Sequence, residues 1–161
     1  MIKEIRENDF IVSKTDLKGH ITYCNKIFID MSEYSEGELL GKPHNILRHP
    51  SMPKAIFKYL WDTVSKKQEV FAYVVNKTKN GNEYWVIANI TPSLDERGNL
   101  IGYYSVRRKP SNKALEVIKP LYAQMLDVEK SKGVDASFKV LTDILEEKGV
   151  SYDEYIIPLQ D

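Results

Sequence analysis

Few side chains in this sequence have the type and spacing that binding or catalytic chemistry requires. His44 and His49 lie in a short segment between Pro43 and Pro50, and Arg48 directly precedes His49. A guanidinium beside an imidazole can bind an anionic group through charge-assisted hydrogen bonds. The alternative is that the two histidines only cap backbone groups around the prolines.

Signatures of catalysis are absent. The sequence has no nucleotide-binding glycine-rich loop, no His-Glu-x-x-His and no Gly-x-Ser-x-Gly. Cys24 is the only cysteine, which excludes an intrachain disulfide and a multi-cysteine metal site. We therefore expect a protein that is not an enzyme and has no metal site.

The composition fits a globular chain of about one domain. Of 161 residues, 42% are hydrophobic and 29% are charged, which are ordinary values for a folded protein. Basic and acidic residues both number 23, so the net charge favours neither nucleic acid nor an anionic membrane as partner. The sequence has no apolar run of membrane-span length and no secretory signal. We expect a cytoplasmic protein without membrane insertion.

Hydrophobic periodicity predicts the elements that must position these side chains. One helix is predicted to begin at Asn25, and a second is predicted over 52–66. The chain from Ser111 onward is also predicted to be helical. Pro120 is expected to begin, break or kink a helix there. Strands are predicted at 10–15, 20–24, 70–75, 84–90 and 100–106.

Several motifs accompany this order of elements: Asn25-Lys-Ile-Phe28, Tyr34-Ser-Glu-Gly-Glu-Leu-Leu-Gly-Lys42 and Lys79-Asn-Gly81. Together, over about residues 10–108, they resemble a PAS sensor domain. The resemblance implies an α+β fold, with a five-stranded antiparallel sheet, short helices on one face and a C-terminal helical extension. It divides the chain into an N-terminal cap segment (1–9), a PAS domain (10–110) and the extension (111–161).

A second set of residues is more specific: the block at 43–53 together with Trp61, Asn76-Lys77 and the segment 84–89. This set resembles the FAD-binding PAS domain of bacterial aerotaxis and energy-taxis receptors. That resemblance implies non-covalent FAD whose redox state is reported to a signalling complex. Two positions depart from the family pattern. Ser51 replaces an acidic residue, and a tryptophan common near Val70 is missing.

Photoreceptor LOV domains share this architecture and form a flavin adduct through a cysteine on a short helix. This chain has His44 at that place, whereas Cys24 ends the second strand. We therefore expect no light-driven adduct and interpret Cys24 as a small buried hydrophobic residue.

Strand alternation predicts which side chains face a bound ring. Tyr84, Val86, Ala88 and Ile90 share one face of their strand, and the small Ala88 suits a flat ring lying against the sheet. The resemblance adds Tyr104 of the last strand to that face as a hydrogen-bond donor to the ring.

The remaining candidates lie on the helical side. Arg48 is expected to contact the pyrophosphate of FAD at the cavity mouth, and His49 to contact either the phosphate or the adenine side. Trp61 either packs in the core or contacts the ring, and Asn25 either caps its helix or reaches the ligand. The complete set of candidate cofactor-binding residues is Arg48, His49, Asn25, Trp61, Phe57, Val86, Ala88, Tyr104 and Asn45.

The resemblance implies a redox sensor that signals to a membrane-bound chemoreceptor-like protein. Trp85 and Ile87, together with the acidic C-terminal helices, are the candidate contact surfaces. A homodimer through the sheet face or the terminal helices is also compatible with the sequence. Two alternatives remain open: a cofactor-free PAS interaction module, and a haem-binding one with His44 or His49 as axial ligand.

Overall fold

The computed structural model describes all 161 residues and confirms the predicted fold class. One antiparallel sheet contains five strands in the spatial order β2-β1-β5-β4-β3. Their bounds are β1 Ile11–Thr15, β2 Ile21–Cys24, β3 Val70–Lys77, β4 Glu83–Leu94 and β5 Leu100–Arg108.

Three helices and a short 3₁₀ turn cover the inner face of the sheet. Asn25 caps the first helix, accepting hydrogen bonds from Phe28 N and Val12 N. Ser35 and Glu38 form a complete capping box on the second, as the Ser-x-x-Glu spacing predicts. The elements are α1 Lys26–Ser32, α2 Glu36–Leu39, the 3₁₀ turn His44–Leu47 and α3 Lys54–Ser65.

The C-terminal extension folds back onto the outer face of β3 and β4. It consists of α4 Asn112–Lys132, α5 Val134–Lys148, α6 Tyr152–Ile156 and a terminal 3₁₀ turn Ile157–Gln160. Three buried tyrosines fasten it to the sheet. Tyr122 donates to Tyr73 O at 2.6 Å, Tyr152 donates to Phe71 O at 2.7 Å, and Tyr73 donates to Ile156 O at 3.1 Å. The division into residues 1–9, 10–110 and 111–161 stays a prediction.

The extension also holds the helix that faces the cavity. Glu129 of α4 accepts hydrogen bonds from Lys54 N and Ala55 N at the first turn of α3. These are backbone donors that a helix leaves without intrahelical partners. Tyr59 of α3 packs against Phe138 and Tyr152, with ring centroids 5.7 and 4.4 Å away. The extension therefore contacts both the sheet and α3.

Two prolines lie inside regular elements: Pro120, which was expected to begin, break or kink a helix, and Pro92, which follows the predicted strand 84–90. Pro120 lies within the continuous helix α4, where its exposed position leaves the freed carbonyl in the preceding turn open to water. Pro92 lies within β4 but beyond Ile90, the last residue of β4 paired with β3. The strand has an open edge there, where a missing N–H is tolerated.

Close packing of β1 against β5 depends on Gly102. A Cβ atom at this position would overlap the carbonyl oxygen of Thr15, so only glycine fits without moving the strands. The register here pairs Thr15 with Tyr103 and Ser13 with Ser105, which fixes the side chains of β1 and β5 that face inward.

Candidate functional site

A cavity of about 340 Å³ lies between the inner sheet face and the segment from the 3₁₀ turn through α3. This volume falls within the range of small-molecule sites. The wall contributed by α3 is mainly apolar. Strands β1, β3, β4 and β5 contribute the residues of the opposite wall. The lining includes Ser13, Thr15, Pro43, His44, Asn45, Arg48, Phe57, Leu60, Trp61, Val64, Val74, Asn76, Ala88, Ile90, Tyr103, Ser105 and Arg107.

The mouth of the cavity combines aromatic rings with two exposed cationic residues, Arg48 and Lys18. The Arg48 guanidinium carbon lies 4.3 Å from the centroid of the Phe57 ring, a cation–π distance. Trp61 packs against Tyr103 at a centroid distance of 5.1 Å, yet 47% of Trp61 remains exposed. The mouth can therefore hold a flat group between rings and a negative group beside Arg48.

A buried guanidinium forms the floor. Arg107 Nη2 lies 2.7 Å from His44 Nε2 and 3.1 Å from Ser13 Oγ. Burial, together with the positive charge of Arg107, lowers the pKa of His44 to about 3. His44 is therefore neutral at physiological pH, and its Nε2 accepts the hydrogen bond from Arg107.

Several buried polar atoms around this floor have no hydrogen-bond partner. They are Asn76 Nδ2, Ser105 Oγ, Arg107 Nη1 and, beside the cavity, the Tyr84 hydroxyl. Burial raises the pKa of Tyr84 to about 12, so this hydroxyl keeps its proton. Unpaired buried donors are uncommon in folded proteins and costly. These unpaired atoms give the residues around the floor unused hydrogen-bonding capacity.

The structure brings five of the predicted site residues together around the cavity: Arg48, Asn45, Phe57, Trp61 and Ala88. Ala88 lies opposite Arg107 in the β4–β5 register, so its small side chain leaves room above the floor. For Trp61, the core interpretation is wrong, because nearly half of the residue is exposed at the mouth.

His49 and Asn25 have other partners. His49 Nδ1 accepts from Ser51 N at 2.9 Å, and its Nε2 lies 3.1 Å from Glu83 Oε2. Asn25 caps α1 and donates to Phe10 O at 2.8 Å. Neither residue lines the cavity, because hydrogen bonds to neighbouring backbone and side chains fix both side chains elsewhere.

Val86 and Tyr104 are also displaced from their predicted roles. Val86 lies on the predicted face of β4 but is fully buried and does not reach the cavity. The placement of Tyr104 on the inner face is wrong. Tyr103, Ser105 and Arg107 face the cavity, so alternation turns Tyr104 outward. There its ring lies 5.8 Å from Lys14 Nζ.

Sequence reasoning missed the polar floor. Arg107, Ser105 and Ser13 were not among the candidates, although all three are buried and line the cavity. An arginine and a serine two residues apart on a strand share one face. That spacing was the available signal, but their polarity indicates a solvent-facing side in an ordinary sheet.

The predicted contact surface around Trp85 is already occupied within the chain. Trp85 packs against Tyr122 of α4 with centroids 6.0 Å apart, and Ile87 is buried. Trp85 therefore packs against a terminal helix of its own chain. These two residues are therefore not available as an open surface for another protein.

Comparisons with known proteins agree with this architecture. A family model described as the PAS fold matches residues 21–107, more than half of the chain. The chain is 38% identical over 130 residues to the aerotaxis receptor of Escherichia coli (strain K12), covering 81% of this chain and 26% of that protein. It is 29% identical over 104 residues to a nitrogen fixation regulatory protein of Klebsiella pneumoniae, covering 65% of this chain and 21% of that protein.

A solved structure described as "Flavin Analogue Sheds Light on Light-Oxygen-Voltage Domain Mechanism" aligns with a TM-score of 0.59 and 21% identity, covering 76% of this chain and 87% of that one. This likeness concerns the fold alone. The chain spans about a quarter or less of the length of the two curated relatives. None of its helices has the length and apolar character needed to cross a bilayer. By its sequence match and its sheet, the chain belongs to the PAS family of signal-transduction sensor domains.

Proposed function

We propose that this PAS domain binds FAD non-covalently and acts as a redox sensor rather than an enzyme. The observation that carries the proposal is the cavity itself, which has an apolar wall on α3, a cationic mouth and a floor with unpaired hydrogen-bond donors. FAD has matching parts: a flat ring with an acceptor-rich edge, and an anionic pyrophosphate tail.

Each part of the cofactor has a group on the chain to hold it. Ala88 and Val74 offer a low apolar surface for the ring, while Asn76 and Arg107 offer N–H donors to its polar edge. Arg48 at the mouth offers a planar guanidinium to the pyrophosphate. When bound, FAD would supply a redox centre whose state the surrounding donors can sense through changed hydrogen bonding.

The histidine contacts favour flavin over haem. An axial haem ligand needs a free imidazole nitrogen directed at the iron. His44 Nε2 is engaged by Arg107, and both ring nitrogens of His49 have protein partners. Because the positive charge of Arg107 lies beside His44, binding of a metal cation to this histidine is also unfavourable.

We propose that the domain acts in the cytoplasm and reports its redox state to a membrane-bound chemoreceptor-like protein. The uncovered half of the outer sheet face is available for that contact or for a homodimer. Phe10 is 50% exposed and Tyr23 is 47% exposed there, beside Lys14 and Tyr104. The exposed acidic side of the C-terminal helices is the second candidate surface.

Titration of the apo-protein with FAD and with riboflavin tests the proposal. We expect FAD to bind about tenfold or more tightly than riboflavin, because a hydrogen bond to a charged group contributes about 1.5–3 kcal/mol. Replacing Arg48 with Met should remove this difference and leave riboflavin binding unchanged. Arg97→Met, on an exposed turn, is the matched control and should behave as the unmodified protein. A protein that binds neither flavin would refute the proposal.

A further inference from the structure

The cavity floor contains a buried cation without a carboxylate partner. Arg107 is only 5% exposed, and none of the ion pairs in the chain involves it. Burial lowers the pKa of Arg107 to about 10, so its guanidinium is still protonated at neutral pH. The floor therefore has a positive charge that the protein does not neutralise.

The groups around Arg107 are neutral. His44 Nε2 and Ser13 Oγ accept hydrogen bonds from Arg107 Nη2. The Phe28 ring centroid lies 5.5 Å from the guanidinium carbon of Arg107. While His44 Nε2 accepts a hydrogen bond from Arg107, this nitrogen has no proton and the imidazole of His44 is therefore uncharged. The Tyr84 hydroxyl keeps its proton because its pKa is raised. The net charge of this cluster is therefore that of Arg107 alone.

The positive charge of Arg107 lies beside the cavity. Arg107 is a cavity-lining residue, and its buried Nη1 has no partner in the chain. Removing a charge from water is costly unless another group pairs with it. A ligand that brings negative charge to this point recovers part of that cost, whereas a neutral ligand offers only a hydrogen bond. The cavity should therefore discriminate between ligands by their charge.

We propose that Arg107 makes the cavity bind the reduced form of a flavin more tightly than the oxidised form. This inference rests on the proposed function. Two electrons from a donor and one proton from water leave the ring with one negative charge, and the positive charge of the Arg107 guanidinium stabilises it. A charge near the ring is one of the ways in which a protein adjusts flavin electronics. Arg107 is thus a redox-tuning residue, distinct from Arg48, whose role is at the tail.

The test compares midpoint potentials of the flavin-bound protein, with dithionite as electron donor and a dye as mediator. Arg107→Met removes the charge, Arg107→Gln keeps a hydrogen-bond donor without charge, and Arg107→Lys keeps the charge. We expect the Arg107→Met and Arg107→Gln variants to bind reduced flavin with a preference over oxidised flavin that is at least about tenfold smaller. A tenfold smaller preference lowers a two-electron midpoint potential by about 30 mV. The Arg107→Lys variant and the control Arg97→Met, on an exposed turn away from the cavity lining, should keep that preference within about a factor of two of the original protein.

Equal potentials in the Met, Gln and original proteins would overturn the inference. A lowered potential of the same size in Arg97→Met would also overturn it. If Arg107→Met unfolds, the Gln and Lys variants alone decide, since they differ in charge and both retain a polar contact for His44. If the proposed function itself is wrong, the unmodified protein binds no flavin. This outcome differs from a wrong role for Arg107, in which flavin binds but the potentials are equal.

Discussion

Replacing Ala88 with phenylalanine should abolish flavin binding while the domain stays folded. Ala88 lines the cavity on β4, directly opposite Arg107 and paired with Ala72 of β3. A phenyl group there would occupy the space proposed for the flavin ring. We expect the FAD affinity to fall about 100-fold or more, which is about 2.8 kcal/mol at 1.4 kcal/mol per factor of ten.

The loss should be specific to the cavity. Thr91→Phe, on the opposite face of the same strand, introduces the same ring outside the cavity and should leave FAD affinity within about twofold. Fluorescence titration measures both affinities, and urea unfolding checks that both variants are folded. Undiminished FAD binding by folded Ala88→Phe would contradict the placement of the ring in this cavity.

Replacing Tyr73 with alanine should cause the largest loss of stability. Tyr73 is fully buried between β3 and the C-terminal helices. Its hydroxyl donates to Ile156 O and its carbonyl accepts from Tyr122. Removing a buried aromatic ring costs about 3–5 kcal/mol, which is a large share of the about 5–15 kcal/mol that stabilises a typical domain.

Two further variants separate the contributions at this site. Tyr73→Phe removes only the hydroxyl and should cost about 1 kcal/mol. Tyr23→Ala, on the uncovered half of the sheet, should change the free energy of unfolding by no more than about 0.5 kcal/mol. Urea unfolding followed by circular dichroism measures all three. A Tyr73→Ala protein as stable as Tyr23→Ala would show that the extension is not fastened to the sheet as described.

Local sequence rules predicted most of the elements because the relevant interactions are local. The change from period-two to helical spacing at Asn25 and the Ser35 capping box each depend on residues within one turn. Ala88 faces the cavity as predicted, because alternation along β4 is regular.

The last strand shows where alternation fails. Tyr103 and Tyr104 are adjacent and chemically identical, so the pattern cannot choose which faces inward. The inner face also contains Ser105 and Arg107, whereas apolar Val106 faces out. This reverses the usual arrangement of a half-buried strand, because buried polar side chains line the cavity side of β5. Only the register with β1 and β4 settles the orientation.

The position of the C-terminal helices could not be predicted for a different reason. The apolar faces of α4 and α5 show that each helix packs against another part of a structure. An apolar face does not identify the element that covers it. The contacts of Tyr122 with Tyr73 and of Glu129 with the first turn of α3 join residues at least 49 positions apart in sequence. Such pairings follow from the assembled sheet and not from any local pattern.

The visible absorption spectrum of the purified protein, followed by identification of any released cofactor, tests the central claim most directly. We expect the absorption bands of an oxidised flavin, loss of those bands on reduction, and FAD in the material released by denaturation. A haem spectrum, or a colourless protein that stays colourless after incubation with FAD, would contradict the claim that this cavity holds a flavin.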